Sequence, residues 1–235
     1  MKKKLRLDKY LADMGVGTRS EVKIAIKKGH IKVNGEIVKS PELKVDDSDR
    51  VCYQDREISY VTHEYYMLNK PAGVVSATED KHFKTVVELI DSAARKDLFP
   101  VGRLDRDTEG LLLITNDGEL AHRLLSPKKK VGKVYFARVE GRVTDEDVKA
   151  FKEGLKVDEE FTAMPAELTI LKSDEISEIE LMIMEGKFHQ VKRMFEAVGK
   201  KVVYLKRLSM GELTLDETLP IGSYRPLTED ELKKL

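Results

Sequence analysis

The chain has 235 residues, 41% of them hydrophobic, which is enough to bury the core of one full domain and a small second one. Lys plus Arg and Asp plus Glu both total 42, so the zero net charge points to no particular partner. A single cysteine, Cys52, excludes a disulfide framework and a cysteine-rich zinc site, and no apolar run approaches the roughly 18 residues of a membrane span.

Lys2-Lys3-Lys4 leads into an amphipathic helical pattern rather than a signal-like start, so a cytoplasmic protein without a membrane or export segment is expected. Charge is unevenly spread. Residues 1–40 hold 11 basic and 4 acidic side chains, whereas residues 41–60 hold 3 and 6. An asymmetry of that kind suggests a face suited to a polyanion.

Tyr10, Leu11 and Met14 have helical spacing that stops at Gly15 and Gly17. Thr18 with Glu21 forms a capping box for a second helix through Val22, Ala25 and Ile26, closed by Gly29. Ile31, Val33, Asn34-Gly35 and Ile37 then make a tight hairpin with the favoured Asn-Gly turn. Val45, Val51 and Tyr53 supply further strand positions, and a short linker near residues 58–63 divides a first domain, 1–59, from a second, 60–235.

The second domain opens with Tyr65-Tyr-Met-Leu-Asn-Lys-Pro-Ala-Gly73, a strand broken by Pro71 and Gly73. Thr85 and Glu88 predict a helix carrying Val86, Leu89, Ile90 and Ala93 inward. Val101-Gly-Arg-Leu-Asp-Arg-Asp-Thr-Glu-Gly110 crowds charge between two glycines and runs into the buried strand Leu111–Thr115. Asp117 caps a helix ending at Ser126-Pro127, Val134–Val139 reads as a strand, and Thr144 caps a helix with Val148, Phe151 and Leu155 at successive turns. After the alternating strand Ile179, Leu181, Ile183, the segment Gly186–Phe195 begins a helix with a Val191, Met194, Phe195, Val198 stripe that ends at Gly199. Strands at Val202–Leu208 and Glu212–Leu215 and a short helix capped by Thr228 and Glu231 complete the set. Strands and helices mix without strict βαβ alternation, so the fold class is α+β with a largely antiparallel sheet flanked by helices.

Arg6-Leu-Asp-Lys-Tyr-Leu11, Arg19-Ser20, Lys27-Lys28-Gly29 and Ile31-Lys32-Val33-Asn34-Gly35 resemble the αL RNA-binding module of a small-subunit ribosomal protein. The resemblance implies phosphate contacts from Arg6, Lys9, Arg19, Lys27, Lys28 and Lys32, which hold position without reading bases. Gly102-Arg-Leu-Asp105 with Thr108-Glu-Gly-Leu111, the Leu-Asn-Lys-Pro string, Lys133-Val-Tyr135, and Gly186-Lys-Phe-His-Gln-Val-Lys-Arg-Met-Phe195 resemble the pseudouridine synthases that modify ribosomal RNA. The last string looks most like the RsuA type, which acts on small-subunit rRNA.

That resemblance implies Asp105 as the catalytic carboxylate, Tyr135 packing against the target base, and Lys192 pairing with the aspartate. Arg103, Lys133, Lys187 and Arg193 lie in the basic stretches around these motifs and are expected to contact RNA. A carboxylate beside a cation stays ionised, the form that covalent or general-base chemistry needs. Two routes fit one carboxylate: attack on the nucleotide, or removal of a ribose proton to give an unsaturated sugar. Either way the uridine must leave its stack. Lys187 stands where the family often has arginine, and a lysine keeps the charge but loses the bidentate fork.

Other chemistries fit less well. Asp105 and Asp107, two positions apart in one loop, do not easily flank a sugar as a glycosidase pair must. The five histidines show no ligand spacing and no phosphate-binding glycine loop is present, so neither metal nor cofactor is expected. The expected protein is a monomer acting on rRNA; a large-subunit rRNA synthase and an RNA-binding ribosome assembly factor are the alternatives.

Overall fold

A computed structural model describes residues 4–235, so Lys2 and Lys3 of the basic start lie outside the described residues. The chain forms two compact units. In the first, β1 (Leu5–Arg6) leads directly into α1 (Leu7–Asp13), followed by α2 (Arg19–Lys27), β2 (Ile31–Val33), β3 (Glu36–Ile37), β4 (Lys44–Val45), β5 (Val51–Tyr53) and β6 (Arg56–Glu57). The Thr18 amide donates to the Glu21 carboxylate at 2.7 Å and the Glu21 amide to the Thr18 hydroxyl at 3.3 Å, so the expected capping box starts α2. Asn34 and Gly35 both take positive φ, 53° and 89°, as a two-residue hairpin with this twist requires. Strands β3-β2-β5-β6 form one antiparallel sheet and β1 pairs with β4. Leu7, Leu11, Val22, Ile26, Ile31, Val45 and Val51 are buried together as the core, each contributing about 1.5–3 kcal/mol.

This unit runs to Glu64 and also takes in Asp91–Leu98. Arg95 explains the return. Its guanidinium, 5% exposed, donates to the Tyr60 hydroxyl at 2.9 Å and the Val61 carbonyl at 3.3 Å and pairs with Asp13 at 3.5 Å.

The second unit contains β7 (Tyr65–Lys70), β8 (Phe99–Pro100), β9 (Glu109–Thr115), α3 (Gly118–Leu125), β10 (Lys133–Glu140), α4 (Asp145–Glu153), β11 (Glu167–Lys172), β12 (Ile176–Ile183), α5 (Gln190–Ala197), β13 (Lys201–Met210), β14 (Leu213–Thr214), β15 (Tyr224–Pro226) and α6 (Glu229–Lys233). Its sheet runs β11-β12-β10-β13-β9-β7-β15, with β14 on β13 and β8 on β9. Neighbours are antiparallel except at β13 and β9, which meet in parallel through two register pairs, Lys206 with Glu109 and Arg207 with Gly110. The α+β architecture with a mixed, mostly antiparallel sheet is the expected one. Met67, Leu111, Leu113, Leu120, Leu124, Met210 and Leu213 form a core in which α3 covers the β7 and β9 strands.

Three local expectations are corrected. Residues 85–93 form no α-helix: Thr85 and Glu88 make the predicted reciprocal hydrogen bonds, but they start only a 3-10 turn, Val87–Leu89. The chain leaves after that turn because Asp91–Leu98 belongs to the other unit. Helix α4 ends at Glu153, so Leu155 lies beyond Gly154, whose φ of 92° stops the helix. Residues 186–189 are turn, not helix, because His189 takes a left-handed φ of 48° and α5 begins only at Gln190.

Gly110 sits where the two halves of the sheet join. Its φ is 98°, and a Cβ there would overlap the Arg207 carbonyl oxygen and lie 2.8 Å from the Arg207 nitrogen. The Gly110→Ala variant should therefore lose at least about 2 kcal/mol of stability in urea unfolding, since backbone cannot yield as a side chain can. A loss below about 0.5 kcal/mol would show that the parallel step adapts.

Candidate active site

A row of facing residues crosses the sheet of the second unit: Lys70, Gly110, Arg207, Tyr135 and Leu181 are successive partners on β7, β9, β13, β10 and β12. The loop 102–108 enters this row just before β9. It is held by buried contacts: the Ser76 hydroxyl donates to the Leu104 carbonyl at 2.8 Å and accepts from the Leu104 amide at 3.0 Å. Lys70, fully buried, donates to the carbonyls of Pro71 at 3.0 Å, Arg106 at 3.3 Å and Thr108 at 2.8 Å. Burial pushes the Lys70 ammonium down to about 8, against the pull of Asp107, Asp105 and Glu109.

The loop presents Asp105, one quarter exposed. Lys192 on α5 reaches it at 3.2 Å but lies closer to Asp107, at 2.7 and 2.9 Å. Burial alone would lower the Lys192 ammonium; hydrogen bonding to Asp107 and the charge of Asp105 overcome it and raise the pKa. Burial likewise favours protonated Asp107, but the hydrogen bond and the charge of Lys192, with smaller contributions, together outweigh it and lower the pKa. His189 Nε2 lies 3.6 Å from Asp105, beyond hydrogen-bond reach, with its ring stacked on Phe188 at 3.8 Å.

Gln190 fixes the turn before α5. Its side-chain oxygen accepts from the Lys187 amide at 2.9 Å while its amide donates to Glu185 at 2.9 Å.

A cavity of about 110 Å³ is lined by Asp105, Tyr135, Lys133, Arg207, Leu205, Ile183 and Val191 among others. Tyr135 is only 7% exposed, so its ring is both a core residue of β10 and a wall of this cavity. A groove of about 890 Å³ shares Arg103, Asp105, Lys133, Lys187 and His189 with it. Asp105, Tyr135 and Lys192, distant in sequence, are thus brought to one place. Among the described residues no group of three or more His, Cys, Asp or Glu could hold a metal ion.

The basic residues divide. Arg103 and Lys187 are exposed along the groove. Lys133 is buried, 8% exposed, inside the cavity wall. Arg193 pairs with Asp158 and lies over the Phe161 ring at 5.2 Å. In the first unit, Arg6 at 2.9 Å and Arg19 at 3.6 Å pair with fully buried Asp8, whose pKa is lowered chiefly by the hydrogen bond from Arg6. Lys9 pairs with Asp13 at 2.8 Å and Lys32 with Asp55 at 2.7 Å, whereas Lys27 and Lys28 stand exposed. Sequence reasoning placed Lys70, Arg207 and Gln190 in or near the site's motifs but gave none of them an individual role.

Comparison with known proteins adds an independent line. The RNA pseudouridylate synthase family matches residues 64–197 and the S4 domain matches residues 5–51. The chain is 47% identical to the RNA pseudouridine synthase YtzG of Bacillus subtilis, covering 98% of each chain. It is 40% identical to ribosomal small subunit pseudouridine synthase A of Haemophilus influenzae, covering 98% of this chain and 99% of that one. It is also 40% identical to ribosomal large subunit pseudouridine synthase B of Bacillus subtilis, covering 98% and 95%. A crystal structure of a pseudouridylate synthase superposes with a TM-score of 0.69 at 40% identity, covering 98% of this chain and 99% of that one.

Lys70 has a pH signature. Unfolded, it holds its proton to the ordinary value of 10.5; folded, it releases it near 8. Between these values the unfolded chain binds more protons, so stability rises with pH. The stability difference between wild type and Lys70→Met, from urea unfolding at pH 7.5 to 10.5, should therefore shift in favour of wild type as pH rises; a pH-independent difference would mean that Lys70 is not desolvated.

Proposed function

Because the chain belongs to the RNA pseudouridylate synthase family, we propose that it isomerises one uridine of small-subunit ribosomal RNA to pseudouridine, with Asp105 as the reacting carboxylate. The observation that carries the assignment is that Asp105 and Tyr135 line one cavity while Lys192 pairs with Asp105 at 3.2 Å, the three coming from separate stretches of the chain. The reaction exchanges a C1′–N1 bond for a C1′–C5 bond within one nucleotide. Asp105 serves by adding to C1′ or by taking the C2′ proton. Lys192 holds the carboxylate in place from one side while Asp107 holds the ammonium. Tyr135 offers a ring against which the extruded base packs, a contact of about 1–3 kcal/mol per base.

The S4 domain orients the RNA through Lys27 and Lys28, whose ammonium groups stand clear of the ion pairs that occupy Arg6, Lys9, Arg19 and Lys32. Arg103 and Lys187 supply phosphate contacts along the groove. The enzyme works as a cytoplasmic monomer, a setting that its lone cysteine suits. The full-length likeness to a small-subunit enzyme and the RsuA-like string Gly186–Phe195 favour the small-subunit substrate. The equal identity to a large-subunit enzyme favours a second reading, in which the target lies in large-subunit rRNA.

Incubation with unmodified small- and large-subunit transcripts, followed by carbodiimide labelling and primer extension, decides between these readings. A new stop in the small-subunit RNA alone is expected. Asp105→Asn should abolish that stop while leaving RNA affinity within about twofold, as for a group acting in the transition state; surviving turnover would remove Asp105 from the chemistry. Lys27→Gln with Lys28→Gln should weaken RNA binding and flatten the salt dependence of log Kd by roughly 1.5–2. An unchanged slope would show that these lysines touch no phosphate.

A further inference from the structure

Two cations are buried in the cavity wall without a carboxylate. Arg207, 2% exposed, donates from Nε to the Leu111 carbonyl at 2.7 Å, and its Nη2 is buried with no hydrogen-bond partner. Lys133, 8% exposed, donates to the Val131 carbonyl at 3.0 Å. Neither forms an ion pair among the described residues, although every carboxylate of the Asp105 loop lies on the same unit. Both residues line the cavity that holds Asp105 and Tyr135, and Tyr135 and Arg207 are direct register partners. Burial and the charge of the neighbouring Arg207 both lower the Lys133 ammonium.

A protein that buries two like charges in one cavity wall incurs a desolvation cost that one carbonyl hydrogen bond each offsets only in part, with no internal counter-charge. Placement of that kind makes physical sense where the missing negative charge arrives with a ligand. The Asp105 carboxylate does not supply it, because it is engaged by Lys192 and approached by His189. Nor is an RNA phosphate the fitting occupant, since the exposed Arg103 and Lys187, which line both the cavity and the wider groove, are open to a phosphate whereas Lys133 and Arg207 are buried.

Resting on the isomerase reading above, we infer that Lys133 and Arg207 stabilise the negative charge that develops on the uracil ring when its glycosidic bond breaks. In that step the C1′–N1 electron pair stays with the base and spreads over N1 and the two ring carbonyl oxygens. The sugar is compensated either by bonding to the Asp105 carboxylate or by losing its C2′ proton. The base then turns and its C5=C6 pair forms the C1′–C5 bond as the Asp105 carboxylate leaves C1′ or, on the other route, as the proton returns from Asp105 to C2′; C5 gives up a proton and N1 gains one, so the sum is an isomerisation that regenerates the free carboxylate. Donors aimed at charge present only during this interval accelerate the reaction without tightening substrate binding.

The test is a single-turnover measurement at saturating rRNA transcript, paired with Kd and its salt dependence, on Lys133→Met and Arg207→Lys. Lys133→Met should lower the single-turnover rate by about 100-fold, the scale for removing one donor to a developing anion, while Kd stays within about twofold. Arg207→Lys keeps the charge but loses the planar fork, and should cost about tenfold. It is used because Arg207→Met would leave the Leu111 carbonyl unpaired and could fail to fold. A Lys133→Met enzyme turning over at the wild-type rate would overturn the inference. So would weaker binding with a salt slope shallower by about one and an unchanged saturating rate, which is the signature of a phosphate contact. Absence of pseudouridine from wild-type reactions on both transcripts would instead sink the isomerase reading and this inference with it.

Discussion

The parallel step between β13 and β9 is the contact on which the site depends. Only two register pairs make it, yet it joins the half of the sheet that carries Tyr135, Arg207 and the strands leading to α5 to the half that carries Lys70 and the Asp105 loop. Gly110 makes the step possible, because the Arg207 backbone occupies the place where a side chain would begin. A carboxylate, a ring and several cations thereby converge on one stretch of the sheet.

Charge is managed differently in the two units. On the first, most of the basic residues implied to bind RNA are already held by acids: Asp8 gathers Arg6, Arg19 and, at 3.9 Å, Lys23. The exposed pair of Lys32 with Asp55 shapes the surface more than it stabilises it, since exposed ion pairs contribute about 0–1 kcal/mol. The zero net charge of the chain thus conceals a local surplus at Lys27 and Lys28. In the second unit Lys192 is shared between Asp105 and the exposed Asp107, while buried Lys70 is satisfied by carbonyls alone.

Much of the fold is legible along the chain because it is local. The Thr18–Glu21 box, the Asn34-Gly35 turn, the Asp117 cap and the alternation through Ile179, Leu181 and Ile183 are each decided by atoms within a few residues. The failures are where a local signal was real but outvoted. Thr85 and Glu88 bond as a helix start should, and the helix still does not form, since Arg95 draws the following segment back to Tyr60 and Asp13. His189 reads as helical, but Gln190 bonding backward to the Lys187 amide keeps residues 186–189 as a turn.

By itself the sequence determined which residue types were available for chemistry: the motif strings around Asp105, Tyr135 and Lys192 point to one reaction class because their order and neighbours are specific. Tertiary structure alone decided how they are used. It placed Lys192 nearer Asp107 than Asp105, moved Lys133 from a presumed surface contact into the cavity wall, and set Arg207 beside it without an acid. The reason is physical. A side chain's burial and partners depend on strand pairings between residues a hundred positions apart, such as Gly110 with Arg207, and no local pattern records those pairings.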